Sequence, residues 1–120
     1  MAQHNELGSK GEELALAHLR TKGFLIKECN WRYGKEEVDI IATKDDRLVI
    51  IEVKTRNSSF FGSHAQFVSK AKQRHLIRAA QGFTDQKGID LEVRFDVIGI
   101  VLNQQQVQID HIENAFQPQW

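Results

Sequence analysis

Cysteine is nearly absent from this chain of 120 residues, since Cys29 is its only thiol. One thiol cannot form an internal disulfide, and it argues against a zinc site built from cysteine ligands. A chain without disulfides fits a reducing compartment, so we expect a cytoplasmic protein. Proline is equally scarce, because Pro118 in the tail is the only one and no proline-rich linker divides the chain. The sequence therefore predicts a single domain over residues 1–120.

The sequence also lacks a long apolar run and an excess of charge of either sign. No apolar run approaches the roughly 18 residues of a membrane-spanning helix, so we expect no membrane span. The N-terminus is polar and charged, which is unlike a signal peptide. The 16 basic residues balance the 16 acidic ones, so no global field draws the protein to nucleic acid. Any affinity for a phosphate backbone must come from a local patch.

Hydrophobic periodicity and turn residues predict a helix, three strands, a second helix and two more strands. The helices are expected from Gly8 to Lys22, ended by Gly23, and from an N-cap at Ser69 to about Thr84. The strands are expected at Phe24–Tyr33, Val38–Ala42, Leu48–Arg56, Leu91–Leu102 and Gln104–Ile112, and an irregular loop at Asn57–Val68. The second and third strands should form an antiparallel hairpin. This order predicts a small α/β sheet flanked by helices.

The strand Leu48–Arg56 begins as an uninterrupted apolar run and ends with a charge at every second position. Because strand side chains alternate, Glu52, Lys54 and Arg56 should share one face, opposite the apolar residues between them. A strand that leaves the core for solvent would explain this pattern. A carboxylate that stays in the core instead needs a paired cation or a bound metal.

Two further acids are predicted to point inward near Glu52. Asp39 interrupts an otherwise apolar strand on the other arm of the hairpin, and Glu12 shares the predicted buried stripe of the first helix. A glutamate near a helix start can instead serve the helix dipole. Carboxylates held together repel each other unless a cation lies between them, and all-oxygen ligation suits Mg²⁺ or Mn²⁺ rather than zinc. We therefore predict a metal held by Asp39, Glu52 and Glu12, with the backbone carbonyl of Val53 as a candidate further ligand.

Phosphodiester hydrolysis is the chemistry that such a site suits. A divalent cation polarises the phosphate, stabilises the developing charge and lowers the pKa of bound water. Lys54 follows Glu52 by two residues on the same face. It would orient the attacking water or neutralise the charge that develops on the phosphate.

A basic segment follows this strand in the sequence. No acidic residue occurs from Lys54 to Thr84, and five basic side chains there are candidates for phosphate contacts: Arg56, Lys70, Lys72, Arg74 and Arg78. Three of them recur every four residues and form one stripe of the second helix. An ordinary solvated helix face has the same pattern. We predict a nucleic-acid interface with DNA as the expected partner; a surface for an acidic protein is the alternative.

The chain also resembles a known family of nucleases. Asp39, followed after a turn by Glu52-Val53-Lys54, looks like the Asp…Glu-x-Lys core of the PD-(D/E)xK nuclease superfamily. The closer resemblance is to the YraN-like family of small bacterial proteins, which is related to Holliday junction resolvases. The matching stretches run through nearly the whole chain: Gly11-Glu12 with Ala15, Asn30-Trp31-Arg32, Glu37 to Ala42, Val49 to Arg56, Phe61-Gly62, Lys72-Gln73-Arg74, Arg94 to Ile98, and His111 to Phe116.

This resemblance implies a restriction-endonuclease-like mixed central β-sheet flanked by helices. It implies a catalytic metal site at Asp39 and Glu52 with Lys54 beside it, and Glu12 matches the helix glutamate that resolvase-like relatives bring to that site. The implied activity is metal-dependent cleavage of branched or single-stranded DNA. The alternative is a nucleic-acid-binding or adaptor protein that keeps the fold without cleaving. A junction has two strands to cut, so a resolvase-like activity would suit a homodimer.

Two departures from the family pattern lie next to the predicted site. Val38 replaces the proline of the superfamily name, at a position that varies widely among such proteins. Glu36 stands where the family usually has glycine, which adds an acid near the site. Glu37 is a candidate fourth acid, because it shares the face of Asp39 if the strand begins there.

Several other polar residues have an open role. Arg94 and Asp96 share a strand face and are expected to form a structural ion pair. Gln73 is a candidate for binding phosphate or a metal-bound water. His64 and His75 flank the basic segment, and as histidines expected to be exposed they are given no role.

Overall fold

The computed structural model describes residues 6–58 and 68–118. Its helices and strands are, in chain order, α1 (Glu6–Thr21), β1 (Leu25–Tyr33), β2 (Glu36–Lys44), β3 (Arg47–Arg56), α2 (Lys70–Lys87), β4 (Glu92–Leu102) and β5 (Val107–Phe116). The loop predicted at Asn57–Val68 lies mostly outside the described residues. Neither helix combines the length and the apolar content that a membrane span requires, within the residues described.

All five strands form one mixed sheet in the order β1-β2-β3-β4-β5. β2 and β3 are the predicted antiparallel hairpin, and Asp45 and Asp46 at its turn have φ values of 51° and 63°. A two-residue turn with both φ angles positive matches the twist of the strands that it joins. β3 and β4 run parallel, and α2 supplies the crossover that parallel neighbours need. The prediction of a restriction-endonuclease-like α/β sheet is confirmed.

The two helices cover opposite faces of this sheet, so its central strands are buried on both sides. On one face, Ala15 and Leu19 of α1 pack with Phe24, Ile40, Ala42, Val49, Ile51, Ile98 and Ile100. On the other face, α2 packs Leu76, Ala79, Ala80 and Phe83 against Val38, Ile41, Leu48, Ile50, Phe95 and Val97. The alternation predicted for β3 is confirmed, and burial on both faces explains its unbroken apolar start.

The ends of α2 and β5 differ most from the prediction. α2 begins after the predicted N-cap, where the Lys72 N–H donates to Ser69 Oγ, but it continues to Lys87. Gly88 ends it with φ at 63°, and the Gly88 N–H bonds to the Thr84 carbonyl. Helices often end in this left-handed conformation, which glycine adopts without strain.

β5 begins and ends later than predicted because a tight turn precedes it. Asn103 Oδ1 accepts hydrogen bonds from the backbone N–H groups of Gln105 and Gln106 at 2.9 and 3.0 Å. These bonds hold residues 103–106 as a turn, so pairing with β4 starts at Val107 and reaches Phe116. Local side-chain bonds of asparagine commonly compete with a strand ladder in this way.

Gly11 lets α1 approach β3 more closely than any other residue would allow. A Cβ at this position would lie 1.9 Å from Thr55 Oγ1 and 2.9 Å from Thr55 Cβ. Gly11 is buried, so the added atom has no solvent to enter. The close approach holds the next residue, Glu12, near the end of β3.

We expect Gly11→Ala to destabilise the protein by about 1–3 kcal/mol, because an added methyl in a filled contact forces the backbone apart. The better helix propensity of alanine offsets up to about 1 kcal/mol of that loss. Thr55→Ala in the same chain should restore part of the stability by removing the hydroxyl and methyl groups. Urea unfolding of the two single variants and the double variant measures this. A Gly11→Ala protein at least as stable as the wild type would contradict the close approach.

Candidate metal and nucleic-acid site

The sheet forks where β2 and β3 separate. Their pairing runs from the turn to Ile40 opposite Ile51 and stops there, although β2 stays paired with β1 and β3 with β4. Asp39 and Glu52 are the next two residues in register, one on each arm of the fork. The sequence predicted these acids on neighbouring strands, and the structure confirms that placement.

Asp39 bridges the fork with its own side chain. The Val53 backbone N–H donates to Asp39 Oδ2 at 2.8 Å. A side-chain carboxylate therefore accepts the hydrogen bond in place of a backbone carbonyl of the neighbouring strand. Val38 packs on the α2 face and Ile40 on the α1 face, although they are two residues apart. The side chains of β2 therefore stop alternating strictly between the two faces of the sheet at Asp39, where the arm of the fork begins.

The electrostatic environment of Asp39 disfavours its charge. Burial, followed by the Glu52 carboxylate, raises the pKa of Asp39 to about 7, and Glu12 acts in the same direction. The hydrogen bond from the Val53 N–H and the charge of Lys72 oppose this rise. A carboxyl that is half protonated near neutral pH lies in a place where a cation would be favourable.

Glu52 faces the half-buried Asp39 and is itself buried, with 5% of the residue exposed. Its Oε2 lies 3.3 Å from Lys54 Nζ. Its Oε1 is buried and has no hydrogen-bond partner among the described residues. A buried acceptor without a partner carries a desolvation cost. The unpartnered oxygen and the neighbouring Asp39 carboxylate are the oxygen donors that a hard divalent cation prefers, so the residues fit such an ion.

Glu12 approaches the fork from the α1 face of the sheet. Its Oε1 accepts a hydrogen bond from Asn30 Nδ2 at 3.1 Å, and its charge reaches Asp39. Within residues 6–58 and 68–118, no three His, Cys, Asp or Glu side chains are grouped closely enough to hold a metal ion. Mg²⁺ commonly takes one or two carboxylates and completes its shell with water and phosphate oxygens. Asp39 and Glu52 are placed to supply two such carboxylates, and metal binding by Asp39, Glu52, Glu12 and the Val53 carbonyl stays a prediction.

The basic residues predicted to contact phosphate fall into two groups. Lys72 lies beside the fork, since its charge reaches Asp39 and its Nζ is 3.5 Å from Glu36 Oε1. The others are exposed along α2 or at the end of β3: Lys70, Arg74, Arg78 and Arg56. The exposed stripe on α2 has the form that its spacing predicted. Contact with nucleic acid stays a prediction for all five.

Glu37 and Gln73 make local contacts in the structure. β2 starts at Glu36, and Glu37 Oε2 lies 2.9 Å from an Arg32 guanidinium nitrogen on the neighbouring strand. Gln73 Nε2 donates to the Val68 carbonyl at 3.1 Å, next to the start of α2. Both side chains therefore help to hold the elements that frame the fork.

The prediction that His75 is exposed is wrong, because only 8% of this residue is accessible. Its ring lies 6.4 Å from that of Tyr33, between α2 and β1. The sequence carried a signal for this burial: His75, Ala79 and Phe83 recur every four residues on the buried stripe of α2. His64 lies outside the described residues.

A second, partly buried group of polar and charged side chains joins β4, β5 and α1. The predicted ion pair is confirmed, since Arg94 donates through Nε and Nη2 to the two oxygens of Asp96, each at 2.9 Å. His111 Nε2 lies 2.8 Å from Asp96 Oδ2, and the Asn114 N–H donates to Oδ1 at 3.0 Å. His111 Nδ1 in turn lies 3.1 Å from His18 Nε2 on α1. This network ties the helix that carries Glu12 to the far edge of the sheet.

Comparison with known proteins gives the family of this chain. A family model described as uncharacterised protein family UPF0102 matches residues 11–100, which include the fork and α2. A UPF0102 protein of Christiangramia forsetii is 47% identical over 116 residues, which cover 97% of this chain and 98% of the relative. UPF0102 proteins of Flavobacterium psychrophilum, at 46% identity over 97% of this chain and 98% of the relative, and of Bacteroides thetaiotaomicron, at 44% over 98% of both, are similar throughout. The YraN-like resemblance is thus confirmed, and the chain belongs to the UPF0102 family.

Proposed function

We propose that this protein is a metal-dependent nuclease that hydrolyses phosphodiester bonds in branched or single-stranded DNA. The observation that carries the proposal is the forked sheet with a carboxylate on each arm, the half-buried Asp39 and the buried Glu52. Two carboxylates held close together out of water repel each other, which costs stability. Such a costly arrangement is typical of a site where a cation or a substrate binds. On a junction, which has two strands to cut, two copies of the chain would act together.

The side chains at the fork divide the chemistry between them. Asp39 and Glu52 would hold Mg²⁺ or Mn²⁺, which when bound polarises the phosphodiester and lowers the pKa of a coordinated water. The bond from the Val53 N–H keeps Asp39 at a fixed place on its arm. The Lys54 side chain is 37% exposed while its Nζ lies next to Glu52, so it can meet a phosphate oxygen that enters from solvent. There it would offset the negative charge that develops as the bond breaks.

A DNA-binding protein that does not cleave is the second candidate. The exposed basic stripe of Lys70, Arg74 and Arg78 on α2 favours it, because phosphate contacts need exposed cations and no catalytic site. This function requires neither Asp39 nor Glu52.

We expect wild-type protein with Mg²⁺ or Mn²⁺ to cut at least one DNA in a panel of junction, flap, single-stranded and duplex substrates. Glu52→Gln keeps the size of the side chain but removes its charge, so cleavage should fall at least about 100-fold while DNA binding is retained. Glu92→Gln is the matched control, because Glu92 is an exposed glutamate on the neighbouring strand that pairs with Arg47. It should cut like the wild type.

Cleavage that persists in Glu52→Gln would contradict the nuclease proposal. If no substrate is cut but binding falls with salt and with replacement of Lys70, Arg74 and Arg78 by glutamine, the binding function is supported instead. Absence of binding at low salt would contradict both functions.

A further inference from the structure

A charged cluster lies beside the fork and is formed by Glu36, Lys72 and His75. Glu36 opens β2, whereas the other two residues lie one turn apart on α2. Glu36 Oε1 is 3.5 Å from Lys72 Nζ and 4.0 Å from His75 Nε2. Charge-assisted hydrogen bonds are normally about 2.7–2.9 Å long, so this oxygen is shared loosely between two donors.

His75 is a buried donor without a hydrogen-bonded partner. Its Nε2 makes no hydrogen bond with any described residue, although His75 is buried, with only 8% of the residue exposed. Burial lowers the pKa of His75, with Lys72 and Arg78 adding to the effect while Glu36 and Glu52 oppose it. The influence of Glu52 shows that His75 lies within electrostatic reach of the fork. A neutral imidazole that carries its proton on Nε2 offers one hydrogen bond toward the Glu36 oxygen.

We propose that Lys72 and His75 form a binding subsite for one phosphate of a nucleic-acid strand, and that the Glu36 carboxylate occupies this subsite in the free protein. An ammonium group and an imidazole N–H that converge on one anionic oxygen suit a phosphate oxygen equally well. The inference rests on the proposed function, because a strand that reaches the fork carries further phosphates next to the one that is cut. It adds His75 and Glu36 to the residues that contact or compete with that strand.

The exposure of the three side chains indicates which of them moves. The side chain of Glu36 is 50% exposed, while those of Lys72 and His75 are 27% and 11% exposed. Glu36 can therefore rotate into water and keep its hydration, whereas the two donors are held by α2. The incoming phosphate replaces one anion by another, so the local charge of the subsite stays balanced. Glu36 thus acts as an internal competitor that weakens binding.

A double-mutant cycle on DNA binding tests this subsite. Anisotropy of a short labelled oligothymidylate is measured in EDTA, so that no strand is cut. Glu36→Gln should tighten binding roughly 3- to 10-fold, and Lys72→Met or His75→Phe should weaken it by a similar factor. In either of the latter backgrounds the gain from Glu36→Gln should fall below about 2-fold, because the competitor then has no complete subsite to occupy.

Asp85→Asn is the control for long-range charge effects, because Asp85 is an exposed acid on the same helix as the two donors, and it should change binding by less than about 2-fold. The inference would be overturned if Glu36→Gln raised the DNA affinity equally with and without the two donors. It would also be overturned if neither the wild type nor Glu36→Gln bound the oligothymidylate. If His75→Phe does not fold by circular dichroism, the Lys72→Met background alone decides the cycle.

The imidazole resonances of His75 give a direct readout. In protein labelled with ¹⁵N-histidine, the Nε2 signal should move when oligothymidylate is added and should stay in place with inorganic phosphate at the same concentration. Equal movement with inorganic phosphate would identify a free-phosphate site and contradict the assignment to a nucleic-acid strand. No movement with either probe would contradict the subsite itself.

These measurements do not depend on catalysis. A coupled cycle without cleavage of any substrate would support the subsite and contradict the nuclease proposal. Cleavage together with an uncoupled cycle would support the nuclease and overturn the subsite.

Discussion

Asp39→Asn should raise the thermal stability of the metal-free protein and at the same time remove its nuclease activity. With a pKa raised to about 7, first by burial and then by Glu52, Asp39 is charged at about pH 8 in a place that disfavours the charge. Asparagine has the same shape, and its side-chain carbonyl can still accept from the Val53 N–H. We expect a gain of about 1–3 kcal/mol, which is roughly 4–12 °C in Tm for a domain of this size. Calorimetry in EDTA measures it.

The gain should depend on pH in a defined direction. Because the pKa of Asp39 is higher in the folded protein than its ordinary 3.8, the folded state binds the proton more tightly. Stability of the wild type should therefore fall as pH rises from about 4 to about 7 and then level off. The difference from Asp39→Asn should be smallest near pH 4 and largest above about pH 7.

In Mg²⁺ the wild type should have a higher Tm than Asp39→Asn, which is the reverse of their order in EDTA. A ligand that binds only the folded state stabilises it, so Mg²⁺ should raise the Tm of the wild type and leave that of Asp39→Asn unchanged. Asp85→Asn is the control, since Asp85 is exposed on α2 and its replacement should change neither quantity. A lower Tm for Asp39→Asn in EDTA would show that the carboxylate stabilises the fork by itself, and the metal-site hypothesis would lose its physical basis.

Asp96→Ala should destabilise the protein strongly, and by more than Gly11→Ala. Asp96 is 1% exposed and accepts from Arg94 and from the Asn114 N–H while it contacts His111. Its removal leaves a half-buried cation, an imidazole and a backbone N–H without their common partner. We expect a loss of about 3–5 kcal/mol, or roughly 12–20 °C in Tm. Urea unfolding near neutral pH measures it.

At acid pH the difference in the free energy of unfolding between the wild type and Asp96→Ala should become smaller. Burial by itself would raise the pKa of Asp96, but the bonds to His111, Arg94 and the Asn114 N–H lower it below its ordinary value. The stability that this carboxylate contributes is thus complete above about pH 4 and is lost as pH falls through its lowered pKa. Asp85→Ala serves as the control, with a change within about 0.5 kcal/mol. A loss below about 1 kcal/mol for Asp96→Ala would mean that the network adds little to the fold.

The sequence by itself determined the elements of the sheet and the residues on its faces. The alternation of β3, the hairpin with β2 and the Ser69 cap depend on neighbours a few residues away, and these patterns survive folding unchanged. The apolar start of β3 predicted burial on both faces for the same reason. The sequence alone therefore predicts Asp39 and Glu52 on adjacent strands, and it also predicts the ion pair of Arg94 with Asp96.

Only the tertiary structure decided what those residues do to one another. The hairpin pairing ends at Ile40 and Ile51, and this end creates the fork, the bond from Val53 to Asp39 and the unpartnered oxygen of Glu52. Where a ladder stops depends on the sheet neighbours of both strands, which lie far away in sequence. The burial of His75 and the position of Glu36 against α2 likewise arise from contacts across some 40 residues of chain. Local patterns identified the acids, and long-range pairing gave them a common site.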